Sequence, residues 1–331
     1  MEQTCVRMVL VKRLLLRIIT AIQLTRLTMA FGAVSDVWFV ILLTRARSEY
    51  NYLEAYSMNL PGALLAGATV AIGLFAYGAS LNDVLDVRHD SAFSPERPIP
   101  AGRIKFGQAI VVTVGALIVA MLGGITLGKE AAGVTLLTAT GIMFYNAAGK
   151  YVPAVGITTV GLIHAAHMLI PNCQLAFTLP VWLVMTHSMV IAALVHQFED
   201  KRPRLNNRSI AAAVMGWATW STVLLAAGAI QGGGLWPTDS SLVGIMAPIA
   251  AVFAFVIVAW WKTSGVPRKT AAEKLKRYGA MWQALYGAAW LLALNLPVQA
   301  AWIGAFAIAG FAAMTMIKEV TGLSDRPVAY R

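Results

Sequence analysis

Apolar residues come in long runs separated by short polar connections. Ten runs stand out, at 27–44, 61–81, 106–127, 131–148, 153–170, 175–196, 210–230, 241–261, 279–296 and 298–317. Crossing the hydrocarbon of a bilayer takes roughly 17 to 25 helical residues. Only a helix or a closed barrel satisfies its backbone groups there. The pattern predicts an all-α integral membrane protein, a bundle of nine or ten transmembrane helices. Stretches rich in Gly and Ala, such as Pro61 to Gly78 and Gly279 to Ala289, suit close packing of helices in lipid.

Composition agrees with the pattern. Of 331 residues 58% are hydrophobic and 12% charged, and the mean hydropathy is +0.68. A soluble domain of this size would lack the polar surface to cover so much apolar material. Charge then orients the bundle. Of the 26 Lys and Arg residues, only Arg45, Arg47 and Lys129 fall on the connections opposite the termini. The positive-inside rule puts both termini and the longer polar connections in the cytoplasm. The net charge of +11 is thus a topology signal with an attraction for anionic membrane lipids, and it calls for no nucleic acid. Residues 1–25, with Arg7, Lys12, Arg13 and Arg17 among Val, Leu and Ile, predict an interfacial amphipathic helix, because no small-residue cleavage site precedes Arg26. A single transmembrane domain over 26–318 and a cytosolic tail over 319–331 complete the chain. Cys5 and Cys173 fall on opposite sides of the membrane, so no disulfide is expected.

The chemistry sits where one run ends. After Leu81 the chain reads Asn82-Asp83-Val84-Leu85-Asp86-Val87-Arg88-His89-Asp90. On a helix Asp83, Asp86 and Asp90 lie within about 60° of one another. Three like charges on one face ask for a cation, and hard oxygen ligands at this density suit Mg²⁺ shared with a phosphate. Sliding the sequence by 114 residues lays His196 to Arg204 over Asn82 to Asp90, with Gln197 under Asp83 and Asp200 under Asp86. A third connection, Lys262 to Arg277, carries six basic residues and Glu273, and reads as a solvated or lipid-facing charge run.

The stretch Asn82-Asp83-x-x-Asp86-x-x-x-Asp90, followed by Arg97-Pro98-Ile99-Pro100-Ala101-Gly102-Arg103, resembles the first aspartate-rich motif of the UbiA superfamily of intramembrane prenyltransferases almost position for position. Tyr145-Asn146-Ala147-Ala148-Gly149-Lys150 resembles that family's Tyr and Lys element. The likeness covers roughly residues 20–230. It implies a helical bundle around a central cavity, open sideways to lipid and capped by cytosolic loops, with nine spans as the usual number. It also implies that two aspartate-rich motifs hold Mg²⁺ and the diphosphate of an isoprenyl donor. The second motif departs from the family, because its three acidic positions are Gln197, Asp200 and Arg204, with Glu199 adjacent.

The resemblance assigns Asp83, Asp86, Asp90 and Asp200 to the metal. It assigns Asn82, Lys150, Lys201, Arg202, Arg26 and Arg103 to the diphosphate, with Tyr145 near the reacting group. His196, next to the second motif, is the candidate acid or base. Asp36 lies inside the first run, where a carboxylate normally faces a cavity or partner, and is expected to shape the acceptor pocket. His164, His167 and His187 read as satisfied or pocket-lining groups, since no Cys or Glu completes a metal site. The expected activity is Mg²⁺-dependent transfer of a polyprenyl group from its diphosphate to a lipophilic acceptor in a bacterial or archaeal cell membrane. Aromatic, quinone-precursor, tetrapyrrole and glycerol-phosphate acceptors all stay open. A membrane terpene cyclase, which quenches the allylic cation internally, is the alternative, and a transporter the remote one. Donor length and oligomeric state are not legible.

Overall fold

The computed structural model describes residues 20–22, 24–26, 30–232, 234, 236–237 and 242–322. The interfacial helix expected over 1–25 and the tail over 319–331 lie outside these residues, apart from 20–22, 24–25 and 319–322. Among the described residues the chain is all-helical with no strands.

Among the described residues, ten helices of 15 residues or more overlap the ten apolar runs. They are α1 (Phe31–Arg45), α2 (Leu60–Leu85), α4 (Phe106–Thr126), α5 (Lys129–Ala147), α6 (Pro153–Met168), α7 (Leu179–Phe198), α8 (Asn207–Ile230), α9 (Met246–Thr263), α10 (Arg268–Ala293) and α11 (Pro297–Gly322); a short α3 (Val87–Phe93) follows α2. Six of them, α2, α4, α7, α8, α11 and α9 with its leading turn from Val243, are long and apolar enough to cross a membrane. Of the other four, α1 and α10 fall short for visible physical reasons. Helix α1 has only 15 residues, of which 12 are buried, so protein rather than lipid surrounds it. Helix α10 opens with the basic residues Arg268, Lys269, Lys274, Lys276 and Arg277.

Local signals explain the helix starts. The Asn59 side chain accepts a hydrogen bond from the Gly62 N–H at 2.7 Å, with Pro61 in the first turn of α2. Asn206 caps α8 the same way through Ser209 N–H at 2.8 Å. Packing then depends on close approach. A Cβ on Gly32 would stand 2.5 Å from the Ala280 carbonyl oxygen, and one on Gly73 would stand 2.6 Å from Ala120 N. Those two glycines let α1 lie against α10 and α2 against α4 at backbone distance.

The core follows from this centre. Phe39, Ile41 and Leu43 on α1, Met185 on α7 and Tyr286 and Leu291 on α10 are almost fully enclosed. Helices α8 and α9 bury little of their spans, as lipid-facing helices do. A smaller cluster of Leu24, Ile99 and Ala109, with Val84, Val87 and Ile104 against it, ties the segment before α1 and the 94–105 loop to the end of α2. That cluster sets the position of Arg26 and Arg97.

Candidate active site at the ends of α2 and α7

Helix α2 does not run unbroken through Asp90. Asp86 is both its C-cap and the N-cap of α3, with φ −90° and ψ 6°. The hydrogen-bond ladder is still relayed across it, from Asp86 N–H to Asn82 O at 2.9 Å and from Asp90 N–H to Asp86 O at 2.8 Å. The three acids therefore stay near one another, but they find different partners.

Asp83 and Asp90 are buried and share one guanidinium. Arg97 Nη1 lies 2.7 Å from Asp90 Oδ2 and 3.3 Å from Asp83 Oδ1, and Arg26 Nη2 reaches Asp83 Oδ1 at 3.1 Å. Both carboxylates keep only 4% of their side-chain surface exposed. Like charges this close, withdrawn from water, persist only because the arginines neutralise them. Asp86 faces the other way. Lys150 Nζ sits 2.7 Å from both of its oxygens and 3.3 Å from Asn82 Oδ1.

Lys150 reaches that position through the connection between α5 and α6. Helix α5 ends at Ala147, a single tight turn spans Gly149–Tyr151, and Pro153 opens α6. The ammonium also stands 5.5 Å from the Tyr151 ring centroid. Tyr145 is half-buried in the last turns of α5, and Arg103 is half-buried in the 94–105 loop.

The second connection is built differently. At the end of α7 the Asp200 N–H bonds to Gln197 O at 3.3 Å and the Lys201 N–H to His196 O at 3.1 Å. With Asp200 at φ 47°, this is a Schellman cap with an aspartate in the left-handed position usual for glycine. The geometry turns Asp200 out to solvent. Its carboxylate accepts from Arg204 Nε at 3.0 Å, and Arg202 stands 3.8 Å away. The hydrogen bond and charge of Arg204 hold this carboxyl below its ordinary range. Arg202 and Arg204 are two-thirds exposed, and His196 Nε2 lies 2.9 Å from the Pro203 carbonyl, across the cap loop.

Glu199, one residue before, points inward. Lys276 Nζ from α10 lies 2.5 Å from Glu199 Oε1, and Lys201 Nζ lies 3.0 Å from Oε2. Burial acts to raise the Glu199 carboxyl, but Lys276 and Lys201 together hold it below its ordinary value. The structure thus brings Asn82, Asp83, Asp86, Asp90, Arg26 and Lys150 together, and leaves Asp200, Arg202 and His196 on the outer side of the α7 cap. Arg97 joins this group, and Glu199 with Lys276 and Lys201 forms a separate ion-paired cluster at the end of α7; Arg97, Glu199 and Lys276 had not been singled out from sequence. Arg97 stood in plain view in the Arg97-Pro98 segment, seven residues after Asp90.

Within the bundle, Asp36 is buried on α1, and its Oδ2 has no hydrogen-bond partner among the described residues. His187 lies between the Gly279 carbonyl, 3.1 Å from Nε2, and the Tyr286 hydroxyl, 3.3 Å from Nδ1. His164 Nδ1 turns back to Val160 O at 2.9 Å, while His167 Nε2 has no partner among the described residues.

The donors of the first motif are hard oxygens throughout, which is the ligand chemistry Mg²⁺ takes. Among the described residues no trio of His, Cys, Asp or Glu is already gathered for a metal. Magnesium characteristically uses one or two carboxylates together with substrate phosphates, so the residues fit the ion.

Comparison with known proteins gives the lineage. A family model described as the UbiA prenyltransferase family matches residues 51–284, which includes both connections. A digeranylgeranylglyceryl phosphate synthase of Saccharolobus solfataricus is 32% identical over 123 residues, 37% of this chain and 40% of that protein. One of Methanosarcina barkeri is 27% identical over 136 residues, 40% of this chain and 44% of that protein. The matched stretch is thus less than half the length of these curated relatives. A solved structure, described as giving structural and mechanistic insights into digeranylgeranylglyceryl phosphate synthase in membranes, superposes on 88% of this chain and 98% of its own with a TM-score of 0.51 at 18% identity. At that identity the likeness speaks for the fold. With the family model spanning well over half of the sequence, this chain belongs to the UbiA prenyltransferase family.

Proposed function

We propose that the protein is a Mg²⁺-dependent intramembrane prenyltransferase that moves a polyprenyl group from an isoprenyl diphosphate to a lipophilic acceptor. The observation that carries this reading is the row of Asp83, Asp86 and Asp90 at the end of a membrane-length helix, opposed by Arg26, Arg97 and Lys150. A site with matched acids and bases has ligands for a metal and donors for the phosphate oxygens that come with it. The relatives are named for a product that joins prenyl chains to glyceryl phosphate, which puts a phosphorylated glycerol lipid first among the acceptors.

An allylic diphosphate reacts when its C1–O bond breaks and the electron pair stays on the leaving diphosphate. Asp83, Asp86 and Asp90 would hold Mg²⁺, which offsets that charge when bound. Lys150 and Asn82 donate to the phosphate oxygens from the α5–α6 side, and Arg26 and Arg97 from the opposite side. In this structure Arg26, Arg97 and Lys150 are paired with the carboxylates assigned to the metal, so loading the ion and the diphosphate together would re-partner both sets while keeping charges of each sign matched. The apolar helices below keep water from the cation while the acceptor's nucleophile adds and loses its proton.

Nine or ten spans and a cytoplasmic position for both connections belong to the same proposal. The ten long helices support the count, and the scarcity of Lys and Arg on the opposite connections supports the orientation.

The test incubates the protein purified in detergent with allylic diphosphates of several lengths, with and without Mg²⁺, plus a panel of acceptors, and reads products by mass spectrometry. The proposal expects a prenylated acceptor and pyrophosphate only when Mg²⁺ is present. Pyrophosphate release with a cyclised hydrocarbon and no acceptor adduct makes the protein a cyclase instead. Absence of release with every donor, together with solute flux in vesicles, makes it a transporter.

A further inference from the structure

Asp200, Arg202 and the basic residues that open α10 lie outside the ion-paired cluster at the end of α2. They gather on another face. Asp200 turns outward between Arg204 and Arg202, and Arg268, the first residue of α10, lies within electrostatic reach of the same carboxylate. The connections after α7 and after α9 therefore meet, although neither stretch of sequence points to the other. Arg208 in the first turn of α8 and Lys269 in the first turn of α10 are exposed. Five cations thus accompany one exposed acid, for Glu273 further along α10 is half-buried. Neither helix carries an acidic residue in its first turn, where the positive end of the helix dipole favours acids and opposes cations. Basic side chains placed there repel the helix end as well as one another, and an anion from outside the chain relieves both.

The height of this face is set by aromatic residues. Helix α9, with its leading turn, is of membrane length and buries little of its span. It ends in Trp260 and Trp261, whose residues are 70% and 66% exposed, and Lys262 Nζ stands 4.1 Å from the Trp261 ring centroid. Indole rings favour the headgroup level of a bilayer, so the cations that follow them stand beside lipid phosphates rather than in bulk water. We propose that the joined connections after α7 and α9 form a docking surface for the headgroups of anionic phospholipids in the surrounding bilayer. Charge complementarity chooses the occupant, because exposed guanidinium and ammonium groups at the end of a membrane-length helix match the phosphates of an anionic leaflet. The two indoles place those groups where lipid, and not a soluble acidic partner, meets them. The surface lies on the outer side of the α7 cap, and the inference is independent of the diphosphate reading above.

The test reconstitutes the full chain in phosphatidylcholine vesicles carrying a trace of spin-labelled phosphatidylglycerol or spin-labelled phosphatidylcholine. Electron paramagnetic resonance reads the fraction of each label held at the protein surface, and the ratio gives the preference. The unaltered protein prefers phosphatidylglycerol, and high salt weakens that preference. Arg268→Gln combined with Lys269→Gln lowers it by about twofold or more, as the loss of two cations facing an anionic leaflet implies. Asp200→Asn, which removes the exposed acid, raises it. Arg204→Gln shifts the preference in the same direction as the double variant, and decides the matter should that variant fail to fold. A control double variant, Arg88→Gln with Lys105→Gln, removes the same charge from the connection after α2 and leaves the preference as it was. Equal falls in the two double variants would assign the preference to net charge alone and overturn the surface. Equal retention of the two labelled lipids by the unaltered protein would overturn it as well.

Discussion

The connections after α2 and after α7 align at Asp86 and Asp200, and they differ in where their charges find partners. At the end of α2, Asp83 and Asp86 are neutralised by Arg26 and Lys150, 57 and 64 residues away in sequence, and Asp83 and Asp90 are withdrawn from water. At the end of α7, Asp200 is neutralised by Arg204, four residues on, and is more than half exposed. A buried carboxylate needs partners delivered by the tertiary fold, whereas an exposed one settles for whatever lies along the helix. Equivalence of position in the sequence is therefore not equivalence of role. Glu199 rather than Asp200 is the residue of the second connection that behaves like the first.

The largest expected effect tests that inequality directly. Asp86→Asn lowers kcat for prenyl transfer by about 10²-fold or more, the scale for losing a preorganised charge at a site of developing charge, while the melting temperature in detergent changes little. Asp200→Asn, at the aligned position, leaves turnover within the scatter of the unaltered protein. Equal losses in the two variants, read by product mass spectrometry, would erase the distinction.

Stability gives the next contrast. Arg97→Ala leaves two buried carboxylates short of a partner, a change that costs about 3–5 kcal/mol when one member of a buried pair is removed. Thermal unfolding in detergent checks it, and Arg204→Ala is expected to leave the melting temperature unmoved. Smaller still, Asp200→Gly raises the melting temperature slightly, because glycine occupies the left-handed cap position at φ 47° without strain. Asp86→Gly, in right-handed backbone between α2 and α3, lowers it.

Acid sharpens the comparison further. The Glu199 carboxyl is held below its ordinary value of 4.5 by Lys276 and Lys201, so its contribution to stability is fully present above about pH 4.5 and is lost as pH falls through the folded value. Melting curves between pH 7 and pH 3 should show the unaltered protein losing its advantage over Glu199→Gln at the acid end. An advantage that persists there would mean the pair contributes by packing alone.

Much of this architecture was legible in the chain, and the parts that were not share a cause. The run at 106–127 became Phe106–Thr126 and the run at 153–170 became Pro153–Met168, because uninterrupted apolar sequence long enough to span lipid has few alternatives to helix. Acid spacing and the Arg97-Pro98 segment pointed to the ion-paired cluster at the end of α2 for the same reason, since residues close in sequence stay close in a helix end and its loop. The orientation of Asp200 was hidden because a left-handed cap residue, and not helical periodicity, decides where its side chain points. Lys276 was hidden because it meets Glu199 across 77 residues and sat in a basic run that looked like an ordinary solvated one. The break at Asp86 was hidden too, and with it the division of three neighbouring acids between Arg97 and Lys150.

The central claim is that the acids at the end of α2 grip a divalent ion and, through it, a diphosphate. Mn²⁺ in place of Mg²⁺, with inorganic pyrophosphate and the protein in detergent, reports this by electron paramagnetic resonance. A protein-bound Mn²⁺ signal with phosphorus coupling, lost in Asp86→Asn, is the predicted result. The absence of bound Mn²⁺ in the unaltered protein, or the same phosphorus-coupled signal in Asp86→Asn, would contradict it.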